Sequence, residues 1–287
     1  MLPKFEYYSP TSIDEVLELL EKYREDAKII AGGTDLIVFM RDKLLKPKYL
    51  VDIKKIPELR RIEYKEGEGL TIGAAVPFKN ILEYPKVKER YRVLWEAVRT
   101  IGDMILRNRA TIGGNICTAS PAADSAPALL VLDARVRILN KKDGLRELPL
   151  EKFFTGVKKT VLQSTDLLKE IFIPEPPKNS HGKYVKKMRV QSEDLSVVGV
   201  AGLAYREGGE PVVRLAYSSV APTPLRVREV EDVFKKKGPL NDRIEEAVKI
   251  ASEKVSPISD VRGSAEYRLN LVKIVTRRLI KELLEVV

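Results

Sequence analysis

At 287 residues the chain exceeds one ordinary domain of about 100–150 residues, so two or three lobes with cores of their own are expected. Its 44% apolar content is that of a globular protein, no apolar run reaches membrane-spanning length, and the stretch Met1-Leu2-Pro3-Lys4-Phe5-Glu6 lacks the charged-then-apolar order of a secretory leader, so no membrane insertion and a cytoplasmic location are expected. The net charge of +10 comes from Lys and Arg interleaved with Glu and Asp; without a long basic run or an aromatic-interleaved basic patch, it predicts a solvated, charge-dense surface and no nucleic-acid partner.

Cys117 and His181 are the one cysteine and the one histidine. An iron–sulfur cluster takes four thiolates and a structural zinc site takes four Cys or His ligands, so this chain alone builds neither. No internal disulfide can form. A Cys–His nucleophile pair would require these two residues to meet, and His181 stands in Asn179-Ser180-His181-Gly182, which reads as a loop. No catalytic residue and no metal ligand is assigned.

In chain order, Thr11-Ser12-Ile13-Asp14-Glu15 carries a capping-box-like start, and Val16, Leu17, Leu19 and Leu20 continue it as an amphipathic helix to about Tyr23. A strand over Lys28-Ile29-Ile30-Ala31 runs into Gly32-Gly33-Thr34-Asp35, and Leu36-Ile37-Val38-Phe39-Met40 begins a helix. Strand, Gly-Gly-Thr and helix together place free amides where a phosphate would sit, although a plain strand-to-helix turn has the same signature. Tyr49 to Ile53 is a second strand, and Ile56-Pro57-Glu58 marks a break.

Short strands then follow at Arg61–Tyr64 and Leu70–Ala74, joined by a Glu66–Gly69 hairpin. Gly67, Gly69 and Gly73 miss the dinucleotide fingerprint in spacing and precede a strand rather than a helix; no Walker A sequence exists. Helices are expected near Lys79–Leu82 and over Tyr91–Ile101. Arg107-Asn108-Arg109-Ala110 delivers two arginines toward the next segment, where they could face an anion or be ordinary surface charge.

That segment, Thr111-Ile112-Gly113-Gly114-Asn115-Ile116-Cys117-Thr118-Ala119-Ser120-Pro121-Ala122-Ala123-Asp124, is the one around which the chain is organised. Adjacent glycines allow unusual dihedrals and close approach of a ligand, and the small polar neighbours add hydroxyl and amide groups without bulk. Ser120-Pro121 reads as a helix start with Asp124 in its first turn, leading into a buried helix over Ala126–Leu132. A tight turn before a core helix is the alternative to a binding loop.

Beyond it, Arg135–Leu139 alternates as a strand that Lys142-Asp143-Gly144 turns back, Phe153 and Phe154 lie in a loop, and Leu167–Ile173 is another strand. Pro174-Glu175-Pro176-Pro177 has the composition of a linker. The last third holds strands at Gly182–Met188, Val197–Ala204 and Val212–Ser218, then amphipathic helices over Asp242–Lys254 and Glu266–Leu284. Antiparallel sheet followed by packed helices makes the fold class α+β.

Four segments in this order resemble the flavin-binding medium subunit of the molybdenum hydroxylases, the family of carbon monoxide dehydrogenase, archaeal aldehyde oxidoreductases and the central domain of xanthine dehydrogenase. They are Ala31-Gly32-Gly33-Thr34-Asp35, Thr111-Ile112-Gly113-Gly114-Asn115, Ser120-Pro121-Ala122-Ala123-Asp124, and Ser256-Pro257-Ile258-Ser259-Asp260-Val261-Arg262-Gly263-Ser264-Ala265-Glu266-Tyr267-Arg268. The resemblance covers the whole chain. It implies a vanillyl-alcohol-oxidase or PCMH-type FAD-binding domain of two α+β subdomains, residues 1–57 and 58–177, followed by a C-terminal α+β domain at 178–287.

By the same resemblance, Ile29, Ile30, Ala31, Gly32, Gly33, Thr34, Asp35 and Leu36 together with Thr111, Ile112, Gly113, Gly114 and Asn115 enclose the FAD pyrophosphate. Asp124 hydrogen-bonds the cofactor, and Ile101, Thr118, Leu168 and Lys186 touch it. The family places its molybdopterin-type molybdenum cofactor in a large partner subunit and two [2Fe-2S] clusters in a small one, in a heterotrimer doubled by symmetry. This chain would accept electrons from those clusters and pass them to an external acceptor. The substrate expected for the complex is glyceraldehyde-like, with CO or an N-heterocycle as the other options. Two rivals stay open: a self-contained flavin oxidase or reductase on the same fold, and a nucleotide-binding regulatory subunit. On this basis Asp124→Ala is expected to weaken FAD retention or shift the flavin potential without unfolding the protein.

Overall fold

Ser12 caps the first helix as its sequence predicts, accepting from the Glu15 amide at 3.3 Å while the Glu15 carboxylate accepts from the Thr11 amide at 2.8 Å. A computed structural model describes residues 2–190 and 193–287 of the chain. The first lobe runs β1 (Glu6–Tyr8), α1 (Ile13–Tyr23), β2 (Ala27–Ile30), α2 (Leu36–Arg41) and β3 (Tyr49–Asp52). Its strands form a parallel sheet in the order β1-β3-β2, with Val16, Leu17 and Leu20 of α1 buried in its core. Parallel pairing leaves β2 pointing its C-terminal end, and the glycines after it, toward one edge of the lobe.

The second lobe is an antiparallel sheet of β4 (Ile62–Lys65), β5 (Gly69–Gly73), β6 (Arg135–Asn140), β7 (Gly144–Pro149) and, after a small β8 (Phe154–Gly156) and β9 (Lys159–Thr160) hairpin, β10 (Asp166–Pro174), in the order β4-β5-β10-β6-β7. Between β5 and β6 the chain inserts six helices: α3 (Phe78–Glu83), α4 (Pro85–Arg90), α5 (Arg92–Arg99), α6 (Met104–Arg107), α7 (Ile112–Thr118) and α8 (Ser125–Val131). Every residue of α8 is buried: Ser125 donates its hydroxyl to Asn115 Oδ1 at 2.7 Å, and the rest of the helix is unbroken apolar sequence.

The third lobe pairs β11 (His181–Lys187), β12 (Val198–Glu207), β13 (Glu210–Ser218) and β14 (Leu225–Arg226) in that order, all antiparallel, and packs α9 (Arg228–Lys235), α10 (Leu240–Lys254) and α11 (Ala265–Val286) on them. His181 therefore opens a strand, paired with Ala204, and is not in a loop. The proline-rich junction at 174–177 is also tied down: the Glu175 amide donates to the Glu68 carbonyl, and its carboxylate takes Arg90 at 2.6 Å.

Lobes two and three are clamped through α8. At its N-terminus Asp124 meets Lys186 and Tyr184 of β11. At its C-terminus Arg226 donates to the Leu130 carbonyl, which also takes the Asp133 amide, at 2.8 Å, and Arg214 donates to the Val131 carbonyl at 3.2 Å, so side chains of the third lobe bond the last carbonyls of the helix.

Candidate functional site

The three lobes enclose a cleft of about 1540 Å³, larger than the roughly 300–1,000 Å³ of pockets for drug-sized ligands. Its first wall is the turn between β2 and α2. Gly33 sits at φ +75°, which glycine adopts at no cost, and a Cβ on Gly32 would overlap the Arg109 carbonyl, so two backbones touch here. Among the described residues, the backbone N–H groups of Gly32, Gly33, Thr34, Asp35 and Leu36 find no acceptor in the protein. Five successive free amides at the edge of a cleft form a concave anion-binding surface. Asp35 accepts from the Thr118 hydroxyl at 2.9 Å and so ties this turn to the opposite wall.

The second wall is α7, and here the structure corrects the expected loop. Gly113 and Gly114 lie in the first turn of a helix capped by Thr111, whose hydroxyl accepts from the Gly114 amide at 3.1 Å. The Ile112 and Gly113 amides donate to the carbonyls of Val76 and Ala74. Neither glycine has positive φ. Their function is close approach: a Cβ on Gly113 would lie 2.5 Å from the Ala74 carbonyl oxygen, while one on Gly114 would meet only Thr111 Oγ1 at 2.9 Å and otherwise open space in the cleft.

A second correction concerns the next helix. Ser120-Pro121 forms a turn, with the Ser120 hydroxyl accepting from Ala122, and α8 begins only at Ser125. Arg107, one of the two arginines that could have faced an anion or been ordinary surface charge, does neither and spends one guanidinium nitrogen on the carbonyls of Arg99, Ile101 and Gly102 at the end of α5. Arg109 borders the cleft.

At the floor, Asp124 Oδ2 pairs with Lys186 Nζ at 2.9 Å, with side chains only 6% and 3% exposed. Asp124 Oδ1 accepts from the Tyr184 hydroxyl at 2.7 Å, and Lys186 also donates to the Thr100 carbonyl at 2.8 Å. Burial pushes the Asp124 carboxyl up from its ordinary range, opposed by the charge and hydrogen bond of Lys186. Burial and the neighbouring carboxylate together push the Tyr184 hydroxyl well up, so it stays a donor.

Of the residues the sequence singled out, Ile29 through Leu36, Ile101, Thr111, Gly114, Asn115, Thr118, Asp124 and Lys186 border this one cleft. Ile112, Gly113 and Leu168 lie behind its walls; Leu168 is buried in β10, opposite Ile138. Sequence reasoning passed over Lys158, whose ammonium stands 4.6 Å from the Phe39 ring centroid across the cleft, and Ser219. Ser219 holds φ +68° because its amide donates to Pro121, its carbonyl accepts from Arg268 and its hydroxyl bonds Ser196. No local pattern signals that strain.

The Ser256–Arg268 segment closes the third side. Asp260 accepts from the Arg262 amide and guanidinium and from Arg268 at 2.6 Å, and Ser264 caps α11. These donors, Arg262 first, hold the Asp260 carboxyl far below the usual range. A depressed folded pKa gives stability that is present above the unfolded value of about 3.9 and lost as pH falls through the folded one. Asp260→Asn is therefore expected to lower the denaturation midpoint at neutral pH, with the gap to the parent protein closing in acid. Parallel midpoint curves across pH would refute this role.

A parallel three-stranded lobe, an antiparallel five-stranded lobe and an amide-lined cleft between them define a nucleotide-cofactor domain carrying a third, C-terminal α+β lobe. Residues 3–176 match the FAD binding domain of molybdopterin dehydrogenases, and residues 183–283 match the CO dehydrogenase flavoprotein C-terminal domain. The chain belongs to this family of FAD-binding molybdopterin dehydrogenase flavoproteins. It is 34% identical to the carbon monoxide dehydrogenase medium chain of Hydrogenophaga pseudoflava over 93% of this chain and 92% of that one. It is 33% identical to the glyceraldehyde dehydrogenase medium chain of Sulfolobus acidocaldarius, covering 98% of both. The solved carbon monoxide dehydrogenase of Hydrogenophaga pseudoflava lacking the Mo-pyranopterin moiety contains a chain that superposes with a TM-score of 0.94 at 31% identity, covering 99% of each.

Proposed function

We propose that this chain is the FAD-carrying, electron-transferring medium subunit of a molybdenum hydroxylase. The observation that carries the site assignment is the run of five free amides from Gly32 to Leu36 facing the cleft opposite a buried Asp124–Lys186 pair. A cofactor bearing a diphosphate and a ring edge with both donor and acceptor groups fits such a lining, because amides take the anion while carboxylate and ammonium offer an acceptor beside a donor. FAD supplies acceptance and release of electrons, and the protein supplies binding, orientation and electrostatics. In this chain the Ile29–Leu36 turn and the Thr111–Asn115 helix start hold the diphosphate, Gly114 leaves room for it, and Asp124 and Lys186 fix the charge around the ring. No side chain is required as nucleophile or general base.

Substrate oxidation belongs to a large molybdenum-cofactor subunit, and a small subunit with two [2Fe-2S] clusters delivers the electrons. The assembly is a heterotrimer doubled by symmetry, in the cytoplasm, acting on a glyceraldehyde-like aldehyde. Among the described residues no helix is long and apolar enough to cross a membrane. The rim of the cleft supports docking of a partner. Ile105 is 73% exposed, Ile258 69% and Leu195 56%, all three bordering the cleft, and together they are apolar surface that a partner would cover. The test is flavin bleaching. The lone chain with FAD is expected to stay oxidised in the presence of glyceraldehyde or a purine and to be reduced only when both partner subunits are added. Rapid reduction of the lone chain by such a substrate would overturn the assignment in favour of a self-contained oxidase.

A further inference from the structure

We propose that Tyr184 is a positioning residue of the cleft: by donating to Asp124 Oδ1 it fixes the carboxylate, and through it the Lys186 ammonium, that the cleft presents to the flavin. The proposal rests on the flavin assignment above. Tyr184 is 6% exposed and does not border the cleft, so it acts only through its neighbours.

Tyr184 and Lys186 stand two residues apart on β11, hence on one face of the strand, and both reach back to the N-terminus of α8. The third lobe reserves the space for this. Gly199 lies across from Lys186 on β12 and from Ser218 on β13, and a Cβ there would overlap both the Tyr184 and the Ser218 hydroxyls. A glycine in the interior of a central strand weakens it, and such a residue is retained where another group must approach closely. Here that group is the phenol.

Asp124 has about four lone-pair directions; the neutral Tyr184 hydroxyl takes one at 2.7 Å, the Lys186 ammonium, which also bonds Thr100, takes another, and the Ser196 hydroxyl is a further donor beside the carboxylate. Removing the Tyr184 hydroxyl takes away one of the protein donors of a buried carboxylate and leaves its negative charge less stabilised. The pair then shifts toward net positive charge beside the bound ring. Positive charge favours the reduced, more electron-rich flavin, so the midpoint potential rises.

The measurement is a spectral redox titration of the full chain reconstituted with FAD. Tyr184→Phe keeps the ring and is expected to retain FAD while its two-electron midpoint potential moves positive by about 30 mV, a tenfold change in the ratio of reduced to oxidised binding. Tyr217→Phe is the control. It deletes a buried hydroxyl bond to Thr276 at 2.8 Å in the same lobe, away from the cleft, and should leave the potential unmoved. A potential unchanged in Tyr184→Phe, or moved equally by both substitutions, overturns the positioning role while leaving the flavin assignment standing. Failure of the parent chain to take up FAD at all overturns that assignment and the proposal with it.

Discussion

Gly114→Val is expected to leave a folded chain that no longer retains FAD, with bound flavin per chain falling at least tenfold, the equivalent of about 1.4 kcal/mol or more of lost binding. The expectation rests on where the new side chain goes. Gly114 is exposed in the first turn of α7, its Cβ direction opens into the cleft, and the single close neighbour is the Thr111 hydroxyl. Crowding that cap costs about 1 kcal/mol, offset in part because valine is a better helix residue than glycine by a few tenths of a kcal/mol. Net stability therefore changes by about 1 kcal/mol or less, while two methyl groups enter the cleft that the free amides also border. Gly113→Val is the contrast. Its side chain would be driven into the backbone of Ala74, so this variant should fail to fold. Flavin absorbance at 450 nm per chain, beside a denaturation curve, checks both. Normal flavin content in a folded Gly114→Val chain would remove α7 from the cofactor site.

The contrast between these neighbours shows what sequence patterns carry and what they leave out. The run of small residues from Thr111 to Asp124 marked the cleft wall correctly as a place, because glycine, threonine and alanine leave room wherever they sit. Its conformation was misjudged. Glycine costs about 1 kcal/mol in a helix interior, so two in succession predict a loop; the helix stands because Thr111 caps it and because the carbonyls of Ala74 and Val76, more than thirty positions earlier, take its first amides. The strand, glycine turn and helix of the first lobe followed from local rules alone, since β2, two glycines and α2 are contiguous; β1 and the parallel pairing of the sheet carried no local signal. His181 and Arg107 escaped for the opposite reason. His181 is in a strand because Ala204 pairs with it, and Arg107 turns inward because three carbonyls converge at the end of α5. Such contacts depend on distant chain, which periodicity does not encode.

Asp124→Ala is the second large effect, and the geometry changes its expected sign from loss of cofactor alone to loss of the fold's stability. The sequence placed Asp124 at a helix start, where an alanine would cost about 1 kcal/mol. In the structure its carboxylate is the counter-charge of Lys186, whose side chain is 3% exposed and whose remaining partner is the Thr100 carbonyl. Removing one member of a buried pair leaves the other charge uncompensated and costs about 3–5 kcal/mol, a large share of the roughly 5–15 kcal/mol that holds a domain together. The Tyr184 hydroxyl loses its acceptor in the same step. Asp124→Ala is accordingly expected to lower the melting temperature by roughly 10 °C, whether or not FAD is present. The double variant Asp124→Asn with Lys186→Met separates stability from binding: it removes both charges together, keeps a carbonyl oxygen for Tyr184 and preserves side-chain volume, so it should recover most of the stability. Its affinity for FAD should not recover, because the acceptor and donor charges at the floor of the cleft are both gone. A single Asp124→Ala variant within about 1 kcal/mol of the parent would mean that the ammonium escapes to water and that this pair does not clamp α8 to the third lobe.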